Sequence, residues 1–122
     1  MIYEERPWGN YKVLHSEVTF QVKKLIVNQN KRISLQSHKF RAEHWFIVSG
    51  KGIVQLDSQE IEVFVGDSSN IPIASKHRIS CTSKESLIFI EVQTGISFDE
   101  NDIIRYEDDF GRGAGKNINF IA

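Results

Sequence analysis

The chain has 122 residues, 25% of them charged and 40% hydrophobic, the composition of an ordinary folded domain long enough to bury a core. Its net charge of −1 gives no electrostatic basis for binding nucleic acid or an anionic membrane, and no apolar run is long enough to span a bilayer. A single cysteine, Cys81, excludes an internal disulfide, and the acidic, polar start is unlike a secretion signal, so one cytoplasmic domain covering residues 1–122 is expected.

Along the chain, short β-prone runs alternate with turn signals. Val18 to Val27 begins with alternating apolar and polar residues and is rich in β-branched side chains, which predicts a strand. Residues 28–31 (Asn-Gln-Asn-Lys) form a turn, because asparagine tolerates left-handed backbone. Trp8, in the segment before them, is expected to anchor the N-terminal stretch across a sheet. Ile33 to His38 and Glu43 to Ser49 read as the next strands, and Gly50 and Gly52 mark a tight reversal. Ile53 to Leu56 and Ile61 to Val65 flank a hairpin turn at Asp57. After another turn at Gly66, His77 to Thr82 and Leu87 to Thr94 complete the strands. Asp99 to Asp109, with Ile103 and Ile104 among acids, predicts a short C-terminal helix. Many short strands at even spacing indicate an all-β protein, a sandwich or barrel, and a jelly roll suits this length.

The chemistry concentrates in one stretch. Gln36 and His38 are two residues apart, so a strand would point both to one face. Glu43 follows after a short turn, and His77 lies on a later strand. An amide oxygen, two imidazoles and a carboxylate converging inside a closed sheet would make a mixed N/O shell for a divalent metal. Zinc is the first choice, with Mn²⁺, Fe²⁺, Co²⁺ and Ni²⁺ also compatible. Spacing alone leaves an equal alternative: ordinary half-buried histidines, with Glu43 paired to Arg41 or Arg78. Trp45 shares parity with Glu43 and should line the interior, whereas His44 should face outward. Arg41, Lys76 and Arg78 flank the ligand candidates and could form a phosphate-facing rim, or be solvated side chains. Cys81 has the default reading of a buried, inert thiol.

The order Gln36, His38, Glu43, Gly50, then Gly66, Pro72, His77 resembles the two motifs of the cupin superfamily. Gln36 stands where that pattern usually has a first histidine, Ala74 where it has glycine, and Cys81 where it has asparagine. Seven separated blocks give a closer likeness. They are residues 6–9 (Arg-Pro-Trp-Gly), 21–24, 34–38, 41–45 (Arg-Ala-Glu-His-Trp), 71–78, 90–95 and 102–112. In this order they are similar to the type II mannose-6-phosphate isomerase domain. In that family the domain usually forms the C-terminal part of a bifunctional mannose-1-phosphate guanylyltransferase/mannose-6-phosphate isomerase.

The resemblance implies a cupin-type double-stranded β-helix. It also implies metal-dependent interconversion of mannose 6-phosphate and fructose 6-phosphate, with Arg105 needed for activity and Arg112 a weaker candidate beside it. Nothing in the chain resembles the Gly-rich nucleotide-binding loop, so guanylyltransferase activity is not expected. Moving a proton between C1 and C2 needs a Lewis acid, a base and a cation for the phosphate. The base has no candidate, because Glu43 is committed to metal and His44 faces away. Two alternatives stay open: an isomerase or epimerase acting on another sugar phosphate or nucleotide-sugar, and a non-catalytic sugar-binding cupin. A homodimer is expected, since a cupin of this size buries much of one sheet face between protomers.

Overall fold

Eleven strands and no helix make up the described part of the computed structural model, residues 2–111. In chain order they are β1 (Tyr3–Arg6), β2 (Gly9–Ser16), β3 (Phe20–Val27), β4 (Leu35–Ser37), β5 (Arg41–Ser49), β6 (Gly52–Leu56), β7 (Gln59–Val63), β8 (Ser68–Ile71), β9 (His77–Cys81), β10 (Leu87–Gly95) and β11 (Ile104–Glu107). All pairings are antiparallel. One sheet runs β1-β2-β3-β10-β5-β8 and the other β11-β4-β9-β6-β7.

Strand periodicity explains what is buried. Along β5, Arg41, Glu43, Trp45 and Ile47 point inward and the residues between them outward. On β10, Leu87, Phe89, Glu91 and Gln93 do the same. The inner ends of these strands supply Ile47, Leu87 and Phe89 to an apolar cluster that also takes Val54 and Val63 from β6 and β7 and Ile79 and Cys81 from β9. The core is therefore shared by both sheets. Toward the other end of the same strands the inward residues become polar, and the site forms there.

The turns follow local chemistry. Asn30 has φ 62°, as expected of asparagine in the 28–31 turn. The β6–β7 hairpin closes at Leu56 and Gln59, with Asp57 at φ 51°. Ala74 has φ 71°, a left-handed backbone that costs a residue with a Cβ roughly 1 kcal/mol. Its N–H donates to the carbonyl of His38 at 2.8 Å, tying the turn before β9 to the end of β4.

The short C-terminal helix expected over Asp99 to Asp109 does not form. Asp102 N–H bonds the Asp99 carbonyl at 3.0 Å, and the Asp99 carboxylate takes the N–H of Asn101 at 2.8 Å. Aspartates that satisfy backbone amides locally compete with helix. Ile104 to Glu107 then pairs with β4 as β11, a state that suits its β-branched and aromatic residues. The N-terminal stretch also holds more order than expected, a β1–β2 hairpin. Trp8 is buried at its turn, and its carbonyl accepts the Asn28 N–H at 2.9 Å.

Candidate metal centre and cavity

His38, Glu43 and His77 reach one point from three directions. Glu43 stands on β5 in the first sheet, His77 opens β9 in the second, and His38 follows β4. Each is buried. His38 Nε2 lies 3.3 Å from Glu43 Oε2, and His77 Nε2 lies 3.6 Å from Glu43 Oε1. Two ligands on a tetrahedral ion with bonds near 2.05 Å would stand about 3.3 Å apart. One donor atom from each residue lies within 4.8 Å of the others, so the three could hold a metal ion.

The imidazoles are oriented for that purpose. His38 Nδ1 donates to the Asp102 carbonyl at 2.8 Å, and His77 Nδ1 donates to the Ser75 carbonyl at 2.9 Å. A proton fixed on Nδ1 leaves the Nε2 lone pair aimed at the shared point. His77 Nε2 is buried with no hydrogen-bond partner among the described residues. A buried nitrogen lone pair without a hydrogen-bond donor, beside a carboxylate, suits a divalent cation as ligand.

Glu43 is held from several sides. Gln93 Nε2 donates to its Oε2 at 2.9 Å and Trp45 Nε1 to its Oε1 at 3.2 Å. Arg41 Nε lies 3.5 Å from Oε2. Burial by itself would push this carboxyl up, but the adjoining His38 and His77 outweigh it and hold Glu43 well below the usual carboxylate range. Burial pushes His77 down. Trp45 Nε1 also donates to Glu91 Oε2 at 2.9 Å, so one indole bridges two carboxyls. Glu91 goes the opposite way from Glu43. Burial first, and then the charge of Glu43, raise it well above the ordinary range.

Gln36 is half-buried, faces His77 directly in the β4–β9 register and lines the same cavity. Arg105 is buried on β11, opposite Gln36. Arg41, buried, lines the cavity as well. The cavity encloses about 500 Å³, counting the part open to solvent.

Lys76 and Arg78 are not brought to the cavity, a correction to the expected rim. Lys76 Nζ sits 4.4 Å from the centre of the Tyr106 ring. Arg78, one residue out of phase with His77, donates to the Ile33 carbonyl at 3.1 Å and to Glu107 at 3.0 Å. Arg112 lies outside the described residues. His44 is exposed and contacts the Asn70 side chain, away from the centre. Cys81 is buried in the apolar cluster.

The structure adds cavity residues that the sequence did not single out: Arg6, Lys23, Glu91 and Gln93. Two signals were available: all four lie in the family-like blocks 6–9, 21–24 and 90–95, and strand parity turns Lys23 and Glu91 inward. Lys23 alternates inward with Leu25 and Val27, and Glu91 with Phe89.

A family model described as "Mannose-6-phosphate isomerase C-terminal" matches residues 2–108. This chain belongs to that family. Among curated relatives, the alginate biosynthesis protein AlgA of Pseudomonas aeruginosa is 43% identical over 117 residues, covering 96% of this chain and 24% of its own length. The xanthan biosynthesis protein XanB of Xanthomonas campestris pv. campestris is 40% identical over 107 residues, covering 88% of this chain and 23% of its own. The chain thus spans about a quarter of the length of these relatives. Among solved structures, the cupin domain of Schizosaccharomyces pombe Cnp3 aligns with a TM-score of 0.68 at 14% identity, over 70% of this chain and 64% of that one. That likeness shows the fold alone, a cupin-type double-stranded β-helix. The His38, Glu43 and His77 cluster lies at the polar end of this barrel.

Proposed function

We propose that this domain is a metal-dependent mannose-6-phosphate isomerase, with a divalent ion, zinc first, held by His38, Glu43, His77 and the amide oxygen of Gln36. The observation that carries the reading is the buried His-Glu-His cluster, with both Nδ1 atoms tied to carbonyls, inside a cavity lined by cations. When bound, the ion supplies Lewis-acid polarisation of the sugar carbonyl. The family match supports the substrate class, and the relatives' names place those proteins in alginate and xanthan biosynthesis.

The chain's own residues supply the rest. Gln93 and Trp45 fix the Glu43 carboxylate, so the centre is organised before substrate arrives. Glu91 is the remaining buried carboxyl in the cavity, and we assign it the proton transfer between C1 and C2. Burial and the charge of Glu43 raise its titration, which strengthens it as a proton acceptor, and Trp45 sets its orientation. Arg105 offers a fixed positive charge beside Gln36 for the anionic oxygens of the reacting sugar.

The test combines metal analysis with turnover. Protein purified without chelator should contain a divalent metal and convert mannose 6-phosphate to fructose 6-phosphate. His38→Ala combined with His77→Ala should lose the metal. Arg105→Ala should keep the metal but lose about 10²–10³ in kcat. Absence of turnover by metal-loaded protein would favour a sugar-binding cupin, and full occupancy in the double variant would refute the ligand set.

A further inference from the structure

Lysine is rarely buried without a purpose or a partner. Lys23, in the middle of β3, is 5% exposed and lines the cavity. Its Nζ lies 4.4 Å from the centre of the Tyr11 ring and 3.4 Å from Glu100 Oε2. Arg6 also approaches Tyr11, with its Cζ 5.2 Å from the ring centre, and lines the same cavity. Its Nη atoms bond Glu4, the Glu5 carbonyl and Tyr11, while its buried Nε has no hydrogen-bond partner among the described residues.

Glu100 belongs to residues 96–103, which connect β10 to β11 and line the cavity through Glu100 and Ile103. That segment is fastened to the β4–β5 side by Asp102 and by the Asp99 carbonyl, which accepts from Arg41 at 2.9 Å. On the β3 side, among the described residues, Lys23 Nζ ties it by donating to Glu100. The Glu100 side chain is 30% exposed against 6% for Lys23, so the carboxylate end of the pair is open to solvent and to a competing anion while the buried ammonium needs an anionic partner.

We propose that Lys23, with Arg6 beside it, binds the phosphate of the sugar substrate, and that Glu100 is a stand-in anion which the phosphate displaces. This deepens the sugar-phosphate reading above and rests on it. Two strand spacings, about 10 Å, separate the backbones of β3 and β5. A hexose phosphate can bridge that gap, with its carbonyl end at the metal ligands and its phosphate at Lys23. A phosphomonoester carries about −1.5 to −2 charges at pH 7, so it outcompetes one carboxylate for two cations. Exchange of Glu100 for phosphate also frees residues 96–103 on the β3 side, so substrate entry and release are coupled to movement of this strap.

Binding can be measured apart from catalysis with the full chain, using inorganic phosphate and sorbitol 6-phosphate, which has no carbonyl to isomerise, in calorimetric titrations. Lys23→Met should weaken both by about tenfold or more, the loss of one charge-assisted contact. Glu100→Gln, at the surface, should tighten both by about threefold or more, because a competing negative charge is gone. In turnover, Lys23→Met should raise KM for the sugar phosphate more than it lowers kcat. Failure of the wild type to bind either probe, unchanged affinity in Lys23→Met, or weaker binding in Glu100→Gln would each overturn the proposal. Binding that responds as described without any turnover refutes the isomerase reading and leaves the phosphate site standing. Turnover with an unchanged KM in Lys23→Met does the reverse.

Discussion

Glu43 and Glu91 stand on neighbouring strands, share the N–H of Trp45, and titrate in opposite directions. The imidazoles stabilise charge on Glu43, while Glu91 is raised first by burial and then by the Glu43 charge, against the opposing charge of Lys23. One carboxyl is thereby suited to hold a cation and the other to carry a proton. Glu91→Gln should keep the metal and the fold but lower kcat by about 10²–10⁴, the range for a missing acid–base group. Metal analysis and steady-state turnover of that variant check it, and near-normal kcat would remove Glu91 from the proton transfer. Spacing alone leaves the His38 and Glu43 pair no better than an ordinary reading, and it is the cupin-like order of residues that joins His77 to them. Glu91 and Lys23 do not stand out, since they sit among apolar residues on strands far away in sequence. Their inward parity shows on a pattern reading, but what they face depends on the β3-β10-β5 order, which no local signal carries.

β4 has three residues and a single register pair with β9, Gln36 to His77. Such a strand cannot position ligands alone. It is braced by β11 and by Asp102, whose carboxylate accepts the N–H groups of Lys39 and Phe40, each at 2.9 Å. The Asp102 carbonyl meanwhile holds His38 Nδ1. Further along, Arg32 grips Asp109 with two bonds of 2.8 Å, and Arg78 reaches Glu107. Acids that suggested a helix over Asp99 to Asp109 are the fasteners of a strand instead. Helical pattern and strand-plus-cap pattern look alike in so short a segment, and tertiary partners decide between them. Asp102→Ala should cost about 1–3 kcal/mol by leaving two amides without their charged acceptor. It should also weaken metal binding by about tenfold, since the His38 orientation loosens. Thermal unfolding and a metal titration measure both effects, and an unchanged metal affinity would show that His38 is positioned without the carboxylate.

The outer face of the six-stranded sheet bears on assembly of the whole molecule. Register pairs Ile26 with Ile88, Val22 with Val92, and Ile90 with Phe46, and antiparallel partners share a face. Phe46 and Val48 are each 45% exposed, and the other side chains are half-buried. Lys24 opposite Ile90 and His44 opposite Val92 interrupt this surface, but the apolar patch that remains on β10 and β5, with Ile26 and Val22 at its β3 edge, is of the kind that interfaces use. A second copy related by a two-fold axis would cover it with the same residues, a self-complementary contact. Sequence could supply the alternation on each strand but not the lateral order that merges the stripes into one patch. We expect a homodimer through this face. Light scattering at micromolar concentration should give twice the chain mass, and Ile90→Lys, within the patch, should give a monomer by bringing like charges together across the axis. Because the cavity opens on the inner side of the sheet, that monomer should still bind metal. A wild type that is monomeric at this concentration, or an Ile90→Lys variant that remains dimeric, would move the interface elsewhere.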